Sequence, residues 1–203
     1  MKVLTGKAVP SGKLSDTWAV SYGDYPSSST YSHNNANIDD EYYNEGIYVG
    51  YRYFDTFNIA PNYCFGYGLS YTNFDIEVCE VTADETHVSV SVKVKNFGET
   101  YSGKEVIQIY YSATQGKLDK PYQELAAFGK TNLLAPGEEQ NMKISFKTTS
   151  MSSYSEEAAS WILEKGDYLI SVGNSSRNTK VAAVIAVDHG VVTEKLVNLF
   201  KDS

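Results

Sequence analysis

The stretch His87 to Lys95, HVSVSVKVK, sets Val88, Val90, Val92 and Val94 against Ser89, Ser91, Lys93 and Lys95 in strict alternation. A period of two puts the valines on one face of a β-strand and the polar side chains on the other. One apolar and one wettable face describe a half-buried strand of an antiparallel sheet.

Working outward, comparable short runs recur at Phe74 to Val81, Glu105 to Tyr111, Gln123 to Thr131, Gln140 to Phe146, Asp167 to Val172 and Lys180 to Val187. The links between them carry turn chemistry: Asn96 with Gly98, Gln115-Gly116, Ala135-Pro136-Gly137, Lys165-Gly166-Asp167, and Asn174 to Asn178. Seven strands without intervening helices predict an all-β, two-sheet antiparallel sandwich over residues 73–188. Ser155 to Leu163 is expected to make at most a helical turn before Trp161. Residues 189–203, including the weakly amphipathic VTEKLVNLFK from Val192 to Lys201, read as a linker or short helix.

Residues 1–72 have a different texture. Gly12 to Asn37 is rich in Ser, Asn, Gly and Tyr without periodicity, and reads as an irregular arm. Within Glu45 to Phe57, EGIYVGYRYFDTF, β-branched and aromatic residues predict one strand packed on something else. A Gly/Tyr-rich turn, FGYGLSYT, follows from Phe65 to Thr72.

Composition narrows the function classes. The 203 residues are 42% hydrophobic and 21% charged, too apolar for disorder and too interrupted by charge for a span of roughly 20 apolar residues, so no membrane partner is expected. A net charge of −8 without a Lys/Arg block removes the main driving force for nucleic-acid binding. Cys64 and Cys79 have no Cys or His neighbours at zinc spacing and read as free thiols. MKVLTGKAVPSGK has no apolar run long enough for a signal peptide, which favours a cytoplasmic location if Met1 is the natural start.

Candidate chemistry is sparse. The acidic cluster Asp39, Asp40, Glu41 and Glu45 lacks the glycine-centred spacing of a calcium loop and reads as a solvated loop, as do Asp119 and Glu124 around Lys120-Pro121. His33, His87 and His189 are scattered and suggest neither a triad nor a metal site. Asn174-Ser175-Ser176 fits a glycosylation acceptor but reads more economically as a turn. No catalytic, metal-binding or cofactor-binding residue is assigned, and no cofactor is expected. The tyrosines of the first third are expected to cover the sandwich or face a neighbouring domain, the alternative being a carbohydrate-stacking platform.

Glu45 to Thr72, EGIYVGYRYFDTFNIAPNYCFGYGLSYT, resembles the signature that joins the α/β sandwich domain to the terminal domain in family 3 glycoside hydrolases. The likeness continues through Gly103 to Tyr110 (GKEVIQIY), Leu118-Asp119-Lys120-Pro121, Gln123-Glu124-Leu125, Phe128 to Thr131 (FGKT), Leu134 to Glu138 (LAPGE), Trp161 and Gly166-Asp167-Tyr168. These resemble the family's fibronectin type III-like domain, implying a fibronectin type III/immunoglobulin-like sandwich. Pro10 to Leu14 looks like the end of the α/β domain, with Ser15 in place of a usual proline, and Cys64 stands where proline is common. The Asp16-Thr17-Trp18 version and the tail Val192 to Leu196 resemble a bacterial subgroup in which the catalytic barrel follows this module.

The resemblance implies a parent that hydrolyses β-glycosidic bonds with retention, as a β-glucosidase or related β-glycosidase. Its aspartate nucleophile would come from the barrel and its glutamate acid/base from the α/β domain, and neither motif is present here. Asp16, in the linker segment, is not that nucleophile. Residues 1–203 are therefore expected to be a non-catalytic accessory domain that stabilises the catalytic domains, its partners; the alternative is a carbohydrate-binding module that tethers the enzyme to polysaccharide. Candidate interdomain contacts are Tyr51, Tyr53, Phe65 and Tyr67 of the arm and Leu118, Asp119, Lys120 and Pro121 of the loop.

Overall fold

The computed structural model describes residues 1–32, 34–113 and 116–199. His33, the Gln115 end of the Gln115-Gly116 turn, and residues 200–203 of the expected tail lie outside them. In chain order the elements are β1 (Trp18–Ala19), α1 (Tyr51–Thr56), β2 (Pro61–Tyr63), β3 (Phe74–Ala83), β4 (His87–Asn96), β5 (Val106–Ser112), β6 (Glu124–Lys130), β7 (Glu139–Lys147), β8 (Ser153–Ser155), β9 (Ser160–Leu163), β10 (Gly166–Ser175), β11 (Asn178–Val187) and β12 (Val191–Lys195). Each of the seven expected strands forms. They make a three-stranded sheet, β3-β4-β7, facing a four-stranded sheet, β11-β10-β5-β6, with every pairing antiparallel. The fold is the all-β, fibronectin type III-like sandwich.

The valines of β4 fill its centre: Val88, Val90, Val92 and Val94 are buried and meet Ile107, Ile109, Tyr168, Ile170 and Val172 from the facing sheet. Burying one such side chain is worth about 2 kcal/mol, so slipping β4 by one residue would forfeit about 8 kcal/mol. That is comparable to the whole net stability of an ordinary domain, which fixes the register. On the solvent face, the Ser89 and Ser145 hydroxyls meet at 2.8 Å, and Lys93–Glu77 (2.5 Å) and Lys95–Glu139 (2.9 Å) pair across neighbouring strands.

Three local expectations are overturned. Glu45 to Phe57 contains no strand: Gly50, at φ +58°, turns the chain into helix α1. Tyr51, Phe54 and Asp55 then share one helical face, and Phe54 is fully buried. Ser155 to Leu163 makes no helical turn; β8 and β9 form a hairpin whose Tyr154 and Trp161 rings lie 5.5 Å apart across the strands. The residues after the sandwich are not a linker or helix at Val191–Lys195, because β12 pairs with β9 and adds a third strand to that hairpin.

Strand β5 is buried on both faces. Ile107, Ile109 and Tyr111 point into the core, while Gln108 and Tyr110, on the opposite face, are 4% and 0% exposed. The arm covers them, making a partial third layer. A buried polar node fastens its other end: Asn96 donates to the carbonyls of Tyr101 (2.9 Å) and Leu134 (3.0 Å), and accepts from Thr72 Oγ1 and from Gly98 N (3.1 Å).

Replacing Asn96 by Ala removes a donor from the Tyr101 and Leu134 carbonyls and the acceptor of the Thr72 hydroxyl and the Gly98 N–H, and should cost about 2 kcal/mol in urea unfolding. At the β3–β4 turn, bonds from the Thr86 hydroxyl, Thr86 N and His87 N hold the Asp84 carboxyl at about 2, below its ordinary value near 3.8. A carboxyl depressed in the folded state contributes stability above its unfolded pKa and loses it as pH falls through the folded one. The urea midpoint should therefore fall between about pH 4 and pH 2, and Asp84→Asn should flatten that slope.

Candidate interdomain surface

Helix α1 lies on the outer face of the four-stranded sheet. The Tyr51 ring is 4.7 Å from Phe65 and meets Tyr110 edge-on at 6.0 Å, and its hydroxyl accepts a 2.8 Å hydrogen bond from Leu125 N. Burial pushes the Tyr51 phenol above its ordinary pKa, and that of Tyr110 further. One turn later Thr56 Oγ1 accepts from Tyr122 N at 2.8 Å. Beyond the helix, the Phe65 carbonyl accepts from Ser176 N at 2.9 Å. Gly66 follows at φ +80°, where a β-carbon would sit 2.4 Å from the Gln108 side chain, so only glycine lets the arm approach β5 this closely.

Asp55 is the electrostatic centre of this contact. Its side chain is 3% exposed; Arg177 Nε lies 2.5 Å from Oδ1, and Gln123 Nε2 donates to Oδ2 at 2.8 Å. Arg177 also donates through Nη2 to the carbonyls of Phe54 and Ile59, each at 2.9 Å, so one guanidinium ties the C-terminal end of α1 and the turn after it to the β10–β11 turn. Burial raises the Asp55 pKa, while Gln123 and Arg177 pull it down. Farther along the arm, Lys13 pairs with Glu105 at 2.8 Å, and Lys130 donates to the Ser11 carbonyl at 2.7 Å.

The eight expected contact residues fall into two places. Tyr51, Tyr53 and Phe65 are half-buried, and Tyr51 and Phe65 spend much of their surface within the chain. Tyr67 is 37% exposed and continues an aromatic strip through Tyr63, at 5.0 Å, to Trp18, at 6.1 Å. Leu118, Asp119, Lys120 and Pro121 sit in the loop after β5, with Asp119 exposed and Pro121 buried. Glu164 holds that loop by pairing with Lys120 and accepting from Lys117 N (2.9 Å) and Leu118 N (3.2 Å). Despite its own burial, those bonds keep the Glu164 carboxyl below its ordinary pKa.

Asp55, Arg177 and Glu164 carried no sequence signal, since each acquires its role from a partner at least 44 positions away. Asn174 of the acceptor-like triplet lies within β10, its amide donating to Glu105 at 3.2 Å. Cys64 and Cys79 are free thiols. Among the described residues no group of three or more His, Cys, Asp or Glu side chains is placed to hold a metal ion, and no helix is long and apolar enough to cross a membrane.

Residues 105–176 match the model of the fibronectin type III-like domain, and residues 1–51 that of the glycosyl hydrolase family 3 C-terminal domain. The chain is 44% identical over 202 residues to beta-glucosidase A of Butyrivibrio fibrisolvens, covering 89% of this chain and 24% of that protein. A beta-glucosidase of Ruminococcus albus is 40% identical over 201 residues, covering 96% and 21%. Of solved structures, a beta-glucosidase from Paenibacillus barengoltzii superposes with a TM-score of 0.91 at 40% identity, covering 97% of this chain and 22% of its own. Beta-glucosidase 3B from Thermotoga neapolitana gives 0.87 at 42% identity, covering 94% and 26%.

The chain matches the C-terminal and fibronectin type III-like region of family 3 glycoside hydrolases. It spans between a fifth and a quarter of the length of the family 3 beta-glucosidases it matches. Within the family 3 frame, the two matched models leave residues 52–104 between them, the span that holds most of α1 and the Gly66 contact.

Arg177→Met leaves the buried Asp55 carboxylate without its cation and should destabilise the chain by about 2–4 kcal/mol, with faster amide exchange across Tyr51–Tyr67. Because a carboxyl whose pKa is raised in the fold loses stability as pH rises through that value, the deficit should shrink on acidification. Unfolding midpoints of the variant on the two sides of the Asp55 transition test this.

Proposed function

We propose that this chain is the non-catalytic accessory module of a family 3 β-glucosidase, packing against the catalytic domains and holding them in place. The observation that carries this reading is the distribution of exposed apolar surface. Residues 1–51 match a domain model that the sandwich does not, and they display Leu4 (84% exposed), Val20 (71%), Ile38 (84%) and Tyr43 (87%). Large apolar side chains left this exposed mark surface meant to be covered. The strip Trp18–Tyr63–Tyr67 adds aromatic surface on the segment that docks on β5.

The parent reaction, hydrolysis of a β-glucosidic bond, needs a carboxylate pair held across a sugar ring about 5 to 10 Å apart. The family resemblance assigns that pair to domains other than this one. The module's contribution is then positional: a rigid sandwich and a stapled arm fix the relative placement of the parts they touch. Tyr53, Tyr67, Leu118 and Asp119 are the expected contact residues that retain surface to offer.

Titrating the chain against the separately expressed catalytic portion should give saturable association. The chain alone should not turn over an aryl β-glucoside, and columns of β-glucan or xylan should not retain it. Saturable binding to either polysaccharide, without affinity for the catalytic portion, would replace this reading with that of a tethering module.

A further inference from the structure

A groove of about 890 Å³ opens where three elements distant in sequence converge: the arm turn Asn44–Tyr48, the loop Leu118–Pro121, and the β8–β9 hairpin with Tyr154 and Trp161. Four carboxylates line it, Glu45, Asp119, Glu124 and Glu156, against two cations, Arg52 and Lys117. Arg52 is engaged by Glu124 at 3.0 Å, which leaves three carboxylates facing one lysine. Trp161 is 39% exposed beside them. Carboxylates next to an aromatic face suit a lysine or arginine side chain, which gains both Coulomb and cation–π attraction, and disfavour an anionic ligand.

The walls are set before anything binds. The Lys120–Glu164 pair pins the loop. On the hairpin side, Leu196 N donates to the Ala159 carbonyl at 2.7 Å, and the Asn198 side chain bridges the Tyr154 hydroxyl (2.5 Å) and the Glu156 carbonyl (2.9 Å). A seat ordered in advance costs little further entropy when filled. Topology brings a partner to it. The segment that matches the C-terminal domain model runs into Asn44–Tyr48, and the segment after the sandwich runs along β9, so both borders of the module pass this groove. In the relatives, most of the chain lies outside the matched region.

We propose that the groove seats a basic segment of the catalytic portion of the same polypeptide, an inference that rests on the accessory-module reading above. Amide exchange in the full-length protein, compared with the 203-residue chain, tests it. Residues 118–121 and 153–163 should exchange about tenfold more slowly in the full-length protein at low salt. The double variant Asp119→Lys/Glu156→Lys, two exposed positions, should abolish that protection without changing the unfolding midpoint of the 203-residue chain. Raising the salt should weaken the protection of the unmodified protein in the same direction.

If the full-length protein protects the Trp18–Tyr67 strip but not these two segments, the accessory reading stands and the groove assignment falls. If neither region is protected, both fall. Protection that survives charge reversal and high salt would overturn the basic character of the occupant. So would saturable binding of cellotetraose to the 203-residue chain that is lost in Trp161→Ala.

Discussion

The architecture depends on strand β5 being buried on both faces. A two-layer sandwich normally leaves the outer face of each sheet to water, and the serines and lysines of β4 show that arrangement on the three-stranded sheet. β5 departs from it: Gln108 and Tyr110 point outward yet are almost fully enclosed. A tyrosine ring buries on the order of 200 Å² of surface, which makes its covering one of the larger single contributions outside the core. The arm is therefore part of the folded unit. Tyr51 and Phe65 supply the cover, and α1 exists to deliver Tyr51 at the right angle.

The cover imposes its own costs, and the chain meets them with charge. Bringing a helix this short onto a sheet buries backbone ends that it cannot satisfy internally. Arg177 takes the Phe54 and Ile59 carbonyls, and Asp55 compensates the cation in turn. A buried ion pair adds little stability beyond a hydrophobic isostere, but breaking one is expensive. Its value here lies in position: only one placement of α1 satisfies the guanidinium, both carbonyls, Gln123 and the Leu125 N–H together.

How much of this was legible follows from how local each cause is. The β4 alternation is decided by residues two apart, and the same holds for β3, β7, β10 and β11, so the sandwich could be read directly. Helix α1 has six residues, too few to display a helical period, and its aromatic, β-branched lead-in resembles a strand. What makes it a helix is Gly50 and the fit of Tyr51 against Phe65 and Tyr110, the latter 59 positions away. The β8–β9–β12 sheet failed to register for a related reason. Ser153–Ser155 and Val191–Lys195 are unconvincing strands alone and become strands only when paired through Ser160–Leu163. For the candidate surface, the family motifs single out stretches of the arm and of the loop after β5, while the side chains that fasten those stretches, Asp55, Arg177 and Glu164, are visible only once distant segments meet.

The acidic residues show the same division between fastening and display. The chain carries 25 Asp and Glu, and those driven into the interior are committed: Asp55 to Arg177 and Gln123, Glu105 to Lys13 and Asn174, Glu164 to Lys120 and two backbone amides. Each joins segments at least 44 residues apart, and each is a point where the arm or a loop is clamped to the sandwich. A committed carboxylate has little freedom to exchange protons with a substrate, because losing its charge would release the segment it holds. The carboxylates that stay outside, such as Asp119 and Glu156, fasten no segment through their side chains among the described residues and define a field at the rim of a preformed groove. Surface charge of this kind changes how a tethered neighbour approaches and orients more than it changes the stability of the module that carries it.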